Sequence, residues 1–151
     1  MMKIEPSLLA ENMGHVKSIT MNKVAYAAIK RSRDKYEKLL ARSKKDEIVR
    51  GEDIDFPGAE NCALCELYNN AKDTCKGCPI KEISGDAGCV ETQYSLISPS
   101  MWDTEYQIRK KQKSAFKEFV VVFKKMLDVA VIDNERENSV SVKFKKSKPK
   151  D

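Results

Sequence analysis

All five cysteines of this 151-residue chain fall between Cys62 and Cys89. They read Cys62-Ala-Leu-Cys65, then nine residues, Cys75-Lys-Gly-Cys78, then ten residues to Cys89. Thiolates that hold a metal must converge on a point, with sulfur about 2.3 Å from a zinc ion. Two Cys-x-x-Cys pairs let two short turns each deliver two thiolates. Gly77, between two of the candidates, lacks a Cβ and can fold closely around sulfur. Cys62, Cys65, Cys75, Cys78 and Cys89 are therefore the candidate metal ligands.

Other cysteine chemistries fit less well. Disulfides need an oxidising compartment. The opening Met1-Met2-Lys3-Ile4-Glu5-Pro6 has no apolar core of signal-peptide length, so secretion is not expected. An odd count also leaves one thiol over. Redox Cys-x-x-Cys motifs sit at strand–helix junctions, and nothing before Cys62 reads as a parallel strand. Four thiolates in a tetrahedron suit zinc. The alternative is an iron–sulfur cluster, since Cys78-Pro79 matches the Cys-Pro step of some ferredoxins, although a ferredoxin run packs three cysteines at this spacing. Cys62 and Cys65 are expected to be ligands, with two more from Cys75, Cys78 and Cys89. His15, the only histidine, lies 47 residues upstream of Cys62 and reads as solvated.

The string Cys62-Ala-Leu-Cys65-Glu-Leu-Tyr68, Cys75-Lys-Gly-Cys78-Pro-Ile80, Gly85 through Gly88-Cys89 and Thr92-Gln-Tyr94 resembles a group of small tailed-phage proteins. Their pattern is Cys-x-Leu-Cys, an aromatic, Cys-x-Gly-Cys-Pro, a Thr/Ser-Gly turn, Cys, and Gly-Thr-Pro-Tyr, with one helix before the cysteines and one after. The resemblance covers about residues 20–127. It departs at Glu91-Thr92-Gln93-Tyr94, where Gly-Thr-Pro-Tyr is usual, and the C-terminal extension is longer. It implies a phage source and a layout, and no activity.

Composition bounds what must position these thiols. Charged residues make up 34% of the chain and mean hydropathy is −0.55. That implies one domain with a small core, which a metal staple would reinforce. No apolar run approaches the 18 residues or so of a membrane span; Phe119-Val-Val-Val-Phe123 is followed at once by Lys124-Lys125. The net charge of +5 permits an anionic partner without demanding one.

The expected fold is mainly α: an antiparallel helical hairpin with a Cys-rich zinc-binding insert. Residues 1–18 read as a flexible N-terminal arm interrupted by Gly14. A single domain follows over 19–144. Its first helix, about 20–48, carries Val24, Ala28, Ile29, Tyr36, Leu39 and Leu40 at helical spacing, with Ser18 or Thr20 as N-cap and a stop before Gly51. Asp53-Ile-Asp-Phe-Pro-Gly58 reads as a loop into the zinc block, 60–95. Ser100 as N-cap with Asp103 opens a second helix, 101–130. On it Trp102, Tyr106, Phe116, Phe119, Val120, Phe123, Met126 and Leu127 form an apolar stripe that reads as core.

Beyond Val131 two readings stand. Val129–Ile132 and Ser139–Phe144 alternate as a small C-terminal β-hairpin would. Alternatively the helix runs to about Glu137. Residues 145–151 read as a basic tail.

No catalytic constellation is visible, so the chain is not expected to be an enzyme. There is no phosphate-cradling Gly-rich loop and no His-based metal motif, and four thiolates close a zinc site rather than leaving it open. The leading expectation is a non-enzymatic effector in the host cytoplasm that binds a host protein and modulates a host machine. The alternative is a nucleic-acid-binding zinc protein using basic helix faces and the Lys-rich tail.

Overall fold

The computed structural model describes residues 7–50, 67–68, 78–84, 97 and 101–145. In chain order the elements are α1 (Leu8–Met13), β1 (Val16–Met21), α2 (Lys23–Lys44), α3 (Pro79–Ser84), α4 (Glu105–Asp128), β2 (Ala130–Ile132) and β3 (Ser141–Phe144). The chain is mainly helical, as its periodicity indicates, and it adds a small three-stranded sheet.

Helix α2 starts where Asn22 caps it, the side chain accepting from the Ala25 N–H at 2.9 Å. The cap is neither Ser18 nor Thr20, because both belong to β1. The helix stops at Lys44, well before Gly51. Asp46 adopts a left-handed φ of 62°, a conformation Asp tolerates better than most residues. The Asp46 and Glu47 N–H groups turn back to the carbonyls of Ser43 and Arg42 at 3.0 and 3.2 Å, the Schellman pattern. Arg42 and Glu47 pair over the same turn at 3.0 Å.

Helix α4 begins at a capping box in which Thr104 accepts from the Gln107 N–H and Gln107 accepts from the Thr104 N–H. The expected Ser100–Asp103 start is thus displaced: Asp103 instead receives two hydrogen bonds from Lys111 Nζ, at 3.0 and 3.1 Å.

The inward stripe of α2 is Ala25, Ala28, Ile29, Ser32, Tyr36, Leu39 and Ser43. Val24, expected on that stripe, is exposed, and Leu40 is half-buried. On α4 the buried side chains include Ile108, Gln112, Phe116, Phe119, Phe123 and Met126. Tyr36 stacks on Phe119 at 4.7 Å between centroids and touches the rings of Phe116 and Phe123 at 6.1 and 5.8 Å. At one end Val49, beyond α2, bonds Gln112 near the start of α4. At the other Met21, before α2, bonds Asp133, after α4. The two helices therefore run antiparallel.

The sheet order is β2-β1-β3. β1 pairs with β2 in parallel, Ile19 opposite Ala130 and Met21 opposite Ile132. It pairs with β3 antiparallel, Ile19 opposite Val142 and Thr20 opposite Ser141. Both readings of the C-terminus need correction. α4 ends at Asp128, so no helix reaches Glu137, and the two strands that follow form no hairpin with each other. Their central neighbour is the N-terminal strand.

The flexible arm expected over residues 1–18 is corrected for residues 7–18. Leu9 and Met13 on α1, and Val16 on β1, are buried. Ser7 caps α1 and is gripped by Glu118 of α4, whose carboxylate accepts from the Ser7 N–H at 3.0 Å and from its hydroxyl at 2.7 Å. Lys145, expected in the tail, continues the β3–β1 pairing: its N–H donates to the His15 carbonyl at 2.7 Å. Residues 1–6 and 146–151 lie outside the described residues.

Candidate functional site

Of the five candidate ligands, Cys78 lies within the described residues; Cys62, Cys65, Cys75 and Cys89 lie outside them. So does most of the block between residues 60 and 95. Cys78 is 4% exposed and belongs to the apolar core. It directly precedes α3, where Pro79 takes the first helical position, the place at which a missing N–H costs least. The Cys78 carbonyl accepts the Glu82 N–H at 2.9 Å. A buried thiol in apolar surroundings is the setting of an unreactive core cysteine as much as of a structural zinc ligand. Among the described residues no three His, Cys, Asp or Glu side chains gather around a common point. His15 is half-buried on the turn between α1 and β1.

The structure gives the block two anchors. Ile80 and Ile83 of α3 are buried, and the Ile83 carbonyl accepts the Asn12 side-chain amide of α1 at 2.8 Å. Tyr68 is buried, and its hydroxyl donates to the Asn138 carbonyl at 2.6 Å. Burial, and then the charge of the nearby Cys78, hold the Tyr68 phenol well above its ordinary pKa. Residues beside the cysteines are thus tied to both chain ends. Asn12 and Asn138 gave no signal in the sequence, because each works through hydrogen bonds to distant segments.

A second feature reverses a reading of the sequence. Met101, Trp102 and Tyr106 are exposed, at 88%, 85% and 59%. Trp102 precedes the capping box and lies outside the helix, so helical spacing does not place it on the core stripe. Tyr106 is on the first turn, and Lys110 one turn later lies over its ring at 5.7 Å with its ammonium 3.4 Å from the phenol oxygen. Arg109 pairs with Glu105 at 3.5 Å. Beyond this cluster α4 presents Lys113, Lys117, Lys124 and Lys125 to solvent. Met101, Trp102 and Tyr106 are thus exposed within six residues of chain at the start of the longest described helix, with Arg109 and Lys110 just beyond.

No known family matches this chain, and neither a curated protein nor a solved structure matches it. None of the described helices is long and apolar enough to cross a membrane.

Proposed function

We propose that this chain is a small phage-type protein, stabilised by one structural zinc ion, that works without catalysis by docking on a host macromolecular machine. Zinc would be held by Cys62, Cys65 and two of Cys75, Cys78 and Cys89. The observation that carries the docking reading is the exposed Met101–Trp102–Tyr106 cluster. Exposing a Met, a Trp and a Tyr within six residues of chain gives up burial that folding would otherwise use. Trp and Tyr are also the residues that dominate protein interfaces. The rim of Arg109, Lys110 and Lys113 calls for a partner surface with an apolar pocket bordered by carboxylates.

The test compares the parent with the Trp102→Ala/Tyr106→Ala double variant in capture from host lysate, followed by titration of the purified partner. Loss of a hot-spot pair of this kind weakens binding on the order of 100-fold or more. An equal affinity for the same partner would refute the assignment.

The same cluster supports a second reading, because bases stack on exposed aromatics flanked by cations. Binding would then fall steeply with salt, with a log–log slope of about −0.9 per neutralised phosphate on duplex DNA. A nanomolar, sequence-selective complex with DNA or RNA at roughly 150 mM salt would make that reading the correct one.

A further inference from the structure

The two long helices treat their outward charges differently. On α2, Arg33 pairs with Asp34 and Glu37 at 2.8 and 3.3 Å, and Arg42 pairs with Glu47 at 3.0 Å. On α4, successive residues turn by about 100°, which sets Tyr106, Lys110, Lys113, Lys117, Val121 and Lys124 within an arc of roughly 80°. That arc lies opposite the buried side chains of the helix. Five of the six residues are exposed, and Lys110 is half-buried with its ammonium over the Tyr106 ring. Among the described residues the ion pairs of α4 are Arg109 with Glu105 and Lys111 with Asp103, both off the arc. Glu118, next to Lys117 in the chain, is engaged by Ser7.

The row is therefore an uncompensated line of positive charge. Like charges three and four residues apart on one face repel and weaken the helix that carries them. Lys110 with Lys113, and Lys113 with Lys117, are two such pairs. An anionic surface laid along the row removes that repulsion and gains attraction from every lysine.

The geometry selects among anions. At 1.5 Å or so per residue, the lysines climb the axis in steps of about 4.5, 6 and 10.5 Å. A second helix lying alongside repeats those steps with side chains at positions i, i+3, i+7 and i+14, so carboxylates in that pattern meet all four ammonium groups. Val121, 43% exposed, stands in the long step and accepts an apolar side chain at i+11. A phosphate backbone has nothing to set against Val121. It is also a continuous anion, and Asp128, exposed on the same arc one turn beyond Lys124, opposes its passage. An acidic helix can end there.

We infer that the outward face of α4 is a docking strip for an acidic amphipathic helix of a partner protein, its carboxylates on Lys110, Lys113, Lys117 and Lys124 and its apolar residues on Val121 and Tyr106. The inference rests on the docking reading above and extends it by giving the partner segment its chemistry.

The probe is a labelled synthetic helical peptide with Glu at i, i+3, i+7 and i+14 and Leu at i+11, made in both chain directions, beside its Gln counterpart. Exposed ion pairs are weak one at a time, so four of them should make the Glu peptide bind about tenfold more tightly than the Gln peptide by fluorescence anisotropy. Lys113→Glu/Lys117→Glu, at exposed positions, should lose about that factor or more, because attraction becomes repulsion. Lys23→Glu/Lys30→Glu on α2, also exposed, changes the net charge equally and should stay within about threefold of the parent, since charges off the strip are screened. Equal binding of the two peptides, or an equal loss in the two double variants, overturns the inference. So does a single-stranded or duplex DNA probe that binds the parent more tightly than the Glu peptide and is released by Lys113→Glu/Lys117→Glu; the strip then belongs to nucleic acid. Titration of the purified host partner separates this inference from the docking reading. Unchanged affinity in Lys113→Glu/Lys117→Glu beside a loss in Trp102→Ala/Tyr106→Ala ends the acidic-helix inference alone. Unchanged affinity in both ends the docking reading as well.

Discussion

Gln112 and Val49 are paired as two residues of neighbouring strands would be, although one of them is a side chain. The fully buried amide of Gln112 accepts the Val49 N–H at 2.9 Å and donates to the Val49 carbonyl at 2.7 Å. It also donates to the Ile97 carbonyl at 2.7 Å. A helix residue thereby holds two separate segments of the chain. Gln112→Leu keeps the volume and leaves three buried backbone groups unpaired, at about 1–3 kcal/mol each. Urea unfolding should show a loss of at least about 3 kcal/mol; a loss under about 1 kcal/mol would mean that water replaces the amide.

Asn22 performs two separable tasks. Its oxygen caps α2 through the Ala25 N–H, and its amide donates to the Arg136 carbonyl at 3.1 Å and to Asn138 Oδ1 at 2.9 Å. Asn22→Ala removes both tasks and should cost about 2–3 kcal/mol, one cap and two hydrogen bonds. Asn22→Asp retains the cap and loses the donors. Hydrogen exchange in that variant should speed up around residues 136–141 while the first turn of α2 stays protected. Equal deprotection of both regions would show that the tasks are not separate.

The aromatic row and the aromatic cluster should respond oppositely to truncation. Phe119 and Phe123 are buried with centroids 5.9 Å apart, so Phe119→Ala and Phe123→Ala should each cost roughly 3–5 kcal/mol. Trp102→Ala, at an exposed position, should change stability by less than about 0.5 kcal/mol. A large loss in the Trp102 variant would place that ring in the fold and remove it from the docking argument.

Metal content is checked directly. Protein purified without added metal should carry one zinc per chain by elemental analysis, and Cys62→Ser or Cys65→Ser should be unstable or aggregated. Structural zinc supplies apparent free energy on the order of 10 kcal/mol, more than a small core can replace. A brown protein absorbing near roughly 400 nm would indicate a cluster of the iron–sulfur type instead. Absence of metal, or unchanged melting of both variants, would defeat the reading.

Both long helices were legible because Tyr36, Leu39, Phe116, Phe119 and Phe123 repeat at helical spacing, which survives in the packed core. β1 was not. Val16 and Ile19 are both buried, yet they stand three apart, against the two-residue period of a strand. A bulge between Val16 and Ser18 absorbs the extra residue and restores the alternation. Without β1, the apolar residues of β2 and β3 could only be assigned to each other. The cysteine spacing gives the expectation of a metal site, and four of the five cysteines lie outside the described residues. The supports of its neighbours, Asn12 to Ile83 and Tyr68 to Asn138, span 71 and 70 positions, and no local pattern encodes such pairs. Trp102 misled for a different reason: a capping box two residues later ends the helical register in which it would have faced inward.

The middle strand of the sheet has a consequence during synthesis. A ribosome makes Val16–Met21 early and both of its neighbours late; the Asn22–Arg136 hydrogen bond alone spans 114 positions. At about 5–20 residues per second, β1 waits on the order of ten seconds with both edges unsatisfied. A nascent chain stalled before Ala130 would display an apolar strand with nothing to pair with, the form that chaperones and proteases engage. The later-made β2 and β3 therefore decide whether β1 is kept.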